Sequence, residues 1–169
     1  MVEKESFRVQ NGSVSYTRLQ LIALLALRFV IGWHIFYEGI SKALIPQWTS
    51  TEFLKNSQWI LSGFFEWILE NPSVLSVVDF LNIWGLMAIG AGIMLGLFFR
   101  VASISGCVLV LLYYLATPPL IGMEYTLPME GSNLIINKTL IEAVALLVLA
   151  VFPTSRSFGL DYFLRKQIS

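Results

Sequence analysis

Residues 28–48 read RFVIGWHIFYEGISKALIPQW. The stretch is apolar enough to lie in lipid, yet it carries Arg28, His34, Glu38 and Lys42. An ionised side chain at the centre of a bilayer costs about 2.5 to 3.5 kcal/mol on insertion scales, so such residues face a protein interior or a wet cavity and mark function.

The surroundings are those of a membrane protein. Of 169 residues, 56% are hydrophobic and 13% charged, with a mean hydropathy of +0.72, far from the composition of soluble domains. Net charge is zero, which gives nucleic acid nothing to bind, so the charges are read by position. The one cysteine, Cys107, lies in an apolar run; it excludes an intramolecular disulfide, a CxxC redox pair and a thiolate metal site, and reads as a small buried hydrophobe.

Four runs have the roughly 17 to 25 residues that span a hydrocarbon core. They are 19–41, 80–99, 101–116 and 134–152. The second and third meet at a tight turn around Arg100 and form an antiparallel hairpin rich in small residues, with Gly92 and Gly96 as a GxxxG pair that suits close packing within the chain ahead of homo-oligomer formation. The predicted fold is all-α: a four-transmembrane-helix bundle over 19–161, with a cytoplasmic N-terminal tail at 1–18 and a cytoplasmic C-terminal tail at 162–169. The N-terminal tail is polar and shows no small-residue cleavage site, so it is expected to be retained.

Between helices 1 and 2, the stretch FLKNSQWILSGFFEWILENP alternates aromatic and polar residues and is too broken to span. It reads as one or two amphipathic helices at the outer interface, where tryptophan is favoured, either anchoring the bundle or covering a site. Lys4, Arg8, Arg18, Arg100, Arg156, Arg165 and Lys166 fall on one side of a four-span topology, against Lys42 and Lys55 on the other. Lys and Arg near membrane ends favour the cytoplasm, so both termini are expected there, in a bacterial inner membrane. The loops 42–79 and 117–133, the latter with Glu124 and Glu130, are expected outside.

Helical spacing organises the charges. His34, Glu38 and Lys42 at i, i+4 and i+8 form one stripe on helix 1, and Lys138 and Glu142 at i, i+4 share a face of helix 4. Antiparallel helices bring Glu142 to the depth of His34 and Lys138 near Glu38, with Arg28 about ten residues below, so both acids are expected in one cavity with Arg28 and Lys138. Asn133, Asn137, Tyr113, Tyr114 and Trp84 lie near the outer interface and are candidates to line that cavity. A single histidine is too few for a bis-histidine haem and argues against a histidine-based metal centre; no flavin fold or redox cysteine pair is present either. Quinone chemistry fits: it asks for apolar walls, donors to the carbonyl oxygens and a proton path. His34, Glu38 and Glu142 are the candidate proton-handling groups, and Arg28, Lys42, Lys138, Asn137, Trp84 and Tyr113 the candidate binding groups. Paired charges that set helix register are the alternative.

GWHIFYEGISK followed by PQW, the hairpin GLMAIGAGIMLGLFFRVAS, and the closing pattern NK..IEA.ALLVLA..PT.R.FGLD resemble the DoxX family, in particular its DoxD branch, the membrane subunit of thiosulfate:quinone oxidoreductase. The likeness runs from helix 1 to Asp161. It implies a four-helix membrane protein in quinone-dependent redox reactions, with functional charges at Arg28, Glu38, Lys42, Lys138 and Glu142. The donor would be a sulfur oxyanion or a partner redox subunit, because the chain has no electron store of its own. A non-enzymatic scaffold, or a subunit that binds or transports a small anion, is the alternative. The Gly-Leu-Asp tail reads as a cytoplasmic cap in which Arg156 pairs with Asp161. A cysteine placed at Gln58 is expected to react with an impermeant thiol reagent on intact spheroplasts; a reporter fused after Ser169 that works only in the periplasm contradicts this orientation.

Overall fold

The computed structural model of the chain describes residues 9–11, 14–123, 125–126, 134–156 and 158–161. Lys4, Arg8, Glu124, Glu130, Asn133, Arg165 and Lys166 lie outside the described residues, and so do the side chain of Arg156 and its expected pairing with Asp161.

The described chain is helical apart from a small antiparallel ribbon, β1 (Val9–Asn11) and β2 (Val14–Tyr16), in which Val9 faces Tyr16. The ribbon lies where the sequence suggested only a tail. It leads into α1 (Arg18–Leu44), started by a capping box in which the Gln20 amide donates to the Thr17 hydroxyl and the Thr17 amide to the Gln20 side chain. Pro46 follows two residues after the helix end and cannot extend it. Two short helices come next, α2 (Thr51–Lys55) and α3 (Ser62–Glu70).

The following helix differs from expectation. It begins at Pro72, eight residues before Phe80, because proline's fixed φ suits the first helical position. It runs as α4 (Pro72–Phe80), a single π turn (Leu81–Gly85) and α5 (Leu86–Leu95). The loop after α1 is correspondingly shorter than 42–79. Gly96 then takes a left-handed conformation with φ 69° and Phe98 one with φ 46°, so the hairpin turns at 96–98 and Arg100 belongs to the first turn of α6 (Phe99–Ala116). The last long helix, α7 (Lys138–Val151), opens at Asn137, whose side chain accepts from the Leu140 amide, rather than at Leu134. A 3-10 turn (Thr154–Arg156) follows.

Among the described residues, three helices are long and apolar enough to cross a membrane: Arg18–Leu44, Pro72–Leu95 and Phe99–Ala116. α1 lies along α5, α5 pairs with α6, and α6 lies along α7, which also touches α1. Between helices in lipid, close backbone approach replaces the hydrophobic drive, and glycine permits it here. A Cβ at Gly90 would stand 2.4 Å from the Phe36 amide nitrogen, and one at Gly39 2.8 Å from the Ile83 carbonyl. Gly92 faces Ala102 of α6, so this half of the GxxxG pair serves packing inside the chain. Ile35, Leu86, Ile93, Phe99, Val110 and Leu146 fill the centre.

The end of the bundle where α5 turns into α6 is locked by Arg28. A helix leaves its last carbonyls without partners, and α5 ends at Gly96. Arg28, 4% exposed, donates to the carbonyls of Ile93 (2.6 Å), Met94 (2.9 Å) and Phe158, with its guanidinium 5.0 Å from the centre of the Phe99 ring. Across the same turn, the Asp161 carboxylate accepts from the amides of Phe98 (2.9 Å) and Phe99 (3.2 Å), while the Asp161 amide donates to the Gly96 carbonyl. A Cβ at Gly96 would lie 2.3 Å from the guanidinium, which is why the turn carries glycine. Arg28→Met is expected to lower the unfolding midpoint in detergent strongly, because each hydrogen bond to a charged group contributes about 1.5 to 3 kcal/mol. Arg28→Lys, lacking the planar fork, should restore only part; full recovery by lysine contradicts a geometric role.

Candidate functional site

A cavity of about 550 Å³ lies at the other end of α1, within the size range of small-molecule sites. Its walls come from α1, the π turn, α6 and α7, and α2 and α3 roof it with Phe53, Leu54, Phe64, Phe65 and Ile68. The roof has its own small core, in which Leu54, Phe65 and Ile68 pack with Ala116. It is tied to the walls by polar contacts. The Ser50 amide and hydroxyl both donate to Asp79 of α4 at 2.8 and 2.6 Å, and Asn56 accepts from the amide and hydroxyl of Thr126.

The charged residues of α1 and α7 meet on this cavity. His34 Nε2 stands 3.7 Å from Glu142 Oε2, and Lys42 Nζ 3.9 Å from Glu38 Oε2 one turn along the same helix. Lys138, at the start of α7, also lines the cavity, and Glu142 feels the charges of His34, Glu38 and Lys138 together. The other Glu142 oxygen, Oε1, is buried without a hydrogen-bond partner among the described residues. The Lys42 ammonium lies 5.2 Å from the ring centres of both Trp48 and Tyr113. Two aromatic faces compensate a cation that has left bulk water.

Of the residues singled out from sequence, His34, Glu38, Lys42, Tyr113, Asn137, Lys138 and Glu142 share this cavity. Arg28 does not. Ten residues along a helix amount to about 15 Å, and its guanidinium is engaged by the carbonyls at the end of α5, so neither acid of the cavity is paired with it. Trp84 is also absent from the lining: it is exposed and its ring neighbours Phe80, since two residues of helical advance turn it away from Asn82. Tyr114 donates to the Ile135 carbonyl at 2.8 Å and ties α6 to the segment before α7, outside the cavity.

Asn82 was missed. It is buried in the π turn, its amide donates to the Val78 carbonyl at 2.9 Å, and its oxygen accepts from the Tyr113 hydroxyl. Isolated π turns inside α-helices recur at functional sites. The available signal was an asparagine inside an apolar span, LNIWG. Trp48, Ser50 and Thr117 likewise line the cavity without a sequence pattern that marks them.

No protein family, no curated protein and no solved structure matches the chain. Function is therefore argued from the site itself.

The chemistry the cavity offers is that of a mostly apolar chamber with an imidazole, two carboxylates and two ammonium groups on its walls. Phe53, Leu54 and Phe65 supply apolar walls and Lys42 a hydrogen-bond donor, beside the facing side chains of His34 and Glu142. Asn82→Leu should destabilise by about 1 to 3 kcal/mol, because the Tyr113 hydroxyl is left buried without an acceptor. Adding Tyr113→Phe should recover part of that loss. Strictly additive effects in the double variant, followed by circular dichroism on heating, would show that the two side chains are not coupled.

Proposed function

We propose that the chain is a four-helix bundle of the bacterial inner membrane, with α7 as the fourth span, α2 and α3 at the outer interface and both termini in the cytoplasm. Its outward cavity docks a quinone, and it acts as the membrane subunit of a quinone-linked oxidoreductase of the DoxX, DoxD-like kind. The observation that carries this reading is the convergence of His34, Glu142, Glu38 and Lys42 on one largely apolar cavity. Seven basic residues against two in the flanks support the orientation.

In this reading the aromatic and aliphatic walls hold the ring, and Lys42 donates a hydrogen bond to one carbonyl oxygen. Reduction of a quinone to a quinol takes up two electrons and two protons. The electrons come from a donor, either a sulfur oxyanion or a partner redox subunit. The protons pass through groups able to exchange them near neutral pH: an imidazole and carboxylates set beside one another. His34 and Glu142, 3.7 Å apart, are such a relay, and Glu38 stands on the same stripe of α1. Lys138 and Asn137 at the start of α7 bind the rim of the ring or the donor's anionic group.

Lipid extraction of the purified protein followed by mass spectrometry is expected to recover a quinone. Glu142→Gln keeps size and hydrogen bonding while removing the charge and the exchangeable acid. Folded Glu142→Gln should form quinol from donor at least about tenfold more slowly, corresponding to ~1.4 kcal/mol in the barrier. Unchanged turnover removes this acid from the mechanism. A parent protein that neither retains nor reduces quinone favours the non-enzymatic reading, a scaffold or a small-anion subunit in which the two lysines hold the ligand.

A further inference from the structure

The cavity has a roof from α2 and α3, and part of its wall is made by residues that are also exposed. α4 and the π turn pack on α1 and α5 and reach α6 through the hydrogen bond between Tyr113 and Asn82. Beside that bond, Leu81 and Leu112 line the cavity while remaining 55% and 36% exposed, and Phe64 of the roof is 50% exposed. A residue that lines a chamber and also faces outward marks its rim.

What lies outside this rim is decided by the neighbouring side chains. On α6, Leu112 continues an exposed apolar stripe through Val101, Ile104 and Val108, at the three- and four-residue spacing of one helix face. On the other side, Leu81 continues the exposed stripe of Val77 and Trp84. These are the outer faces of two helices long and apolar enough to span a bilayer, so in a bilayer the rim between them would face hydrocarbon. A water-soluble ligand has no favourable path through such an opening, whereas an alkyl or isoprenoid chain lies in it at the gain of buried apolar surface.

We infer that the gap between Leu81 and Leu112 is a lateral portal through which a tailed amphiphile enters from the bilayer, leaving its tail in the gap and its head against Lys42 and the His34 and Glu142 pair. This rests on the quinone reading and narrows it: the ligand is a long-tailed membrane quinone taken from lipid, and a tail-less quinone is a poor substitute. Asn82 and Tyr113 stand just inside the rim, where their mutual hydrogen bond leaves the portal side apolar. Phe64 forms the upper edge, so the roof sets how far the head can rise.

The test compares menadione with the same naphthoquinone ring bearing a farnesyl tail, both titrated against the full chain in lipid nanodiscs. The parent should bind the tailed quinone at least about tenfold more tightly. Leu81→Phe with Leu112→Phe narrows the portal without touching the polar groups. It should weaken the tailed quinone about tenfold and change menadione by less than about twofold; partition into the bilayer is the same for both proteins, so the change isolates the portal. Menadione binding also reports that the cavity remains folded, and Leu112→Phe alone should act in the same direction if the double variant does not fold. Equal affinity of the parent for the two quinones, or tailed binding unaffected by the substitutions, overturns the portal. Failure of the parent to bind either quinone overturns the quinone reading itself.

Discussion

Three carbonyl oxygens bound by one buried arginine hold together the end of this molecule where α5 turns into α6. The α5 helix must stop for the chain to reverse, and stopping exposes carbonyls that lipid cannot solvate. Arg28 takes two of them, and by taking the Phe158 carbonyl as well it fastens the C-terminal segment to α1 and α5. The charges also suit the helix ends they meet. A cation sits at the C-terminus of α5 and an anion, Asp161, at the N-terminus of α6, each favoured by the helix dipole. Loss of either side would leave a reversal with unsatisfied polar groups in a low-dielectric setting.

Closing one end so firmly allows the other to stay open. α1 and α7 touch only lightly, while α1 with α5 and α6 with α7 pack closely along their lengths. The halves of these helices away from Arg28 therefore leave room for a cavity, and His34, Glu38, Lys42, Lys138 and Glu142 are gathered on it. Balance matters here: Glu38 and Glu142 are matched by Lys42, Lys138 and the imidazole of His34. A chamber with one sign of charge would have to draw in counter-ions; this one carries both signs.

The π turn shapes the cavity wall that faces α6. An extra residue in one turn rotates Asn82 inward, lets it meet Tyr113, and leaves Leu81 and Trp84 on the outer surface. The wall between the π turn and α6 is thereby held by a hydrogen bond in place of interdigitated side chains.

Much of this was legible in the chain. Apolar runs of spanning length disclosed a helical membrane protein, since lipid leaves the backbone little choice but to satisfy itself, and the i, i+4 spacing of His34, Glu38 and Lys42 and of Lys138 and Glu142 put them on common faces. Local spacing cannot report which free carbonyl lies across a turn, so Arg28 read as a member of the same charged cluster although it belongs to the opposite end. Pro72 was open to reading as a helix start, but apolarity alone placed the boundary at Phe80. The π turn, the inward Asn82 and the apolar gap beside it have no sequence period. They arise from how α4 and α5 settle against α1, where Gly39 and Gly90 let the backbones touch. Helical spacing and chain direction were enough to give the helices and to bring His34 to the depth of Glu142; only tertiary packing set Arg28 apart from them, because side-chain partnership across a bundle depends on interhelical distance and rotation, quantities that no single helix encodes.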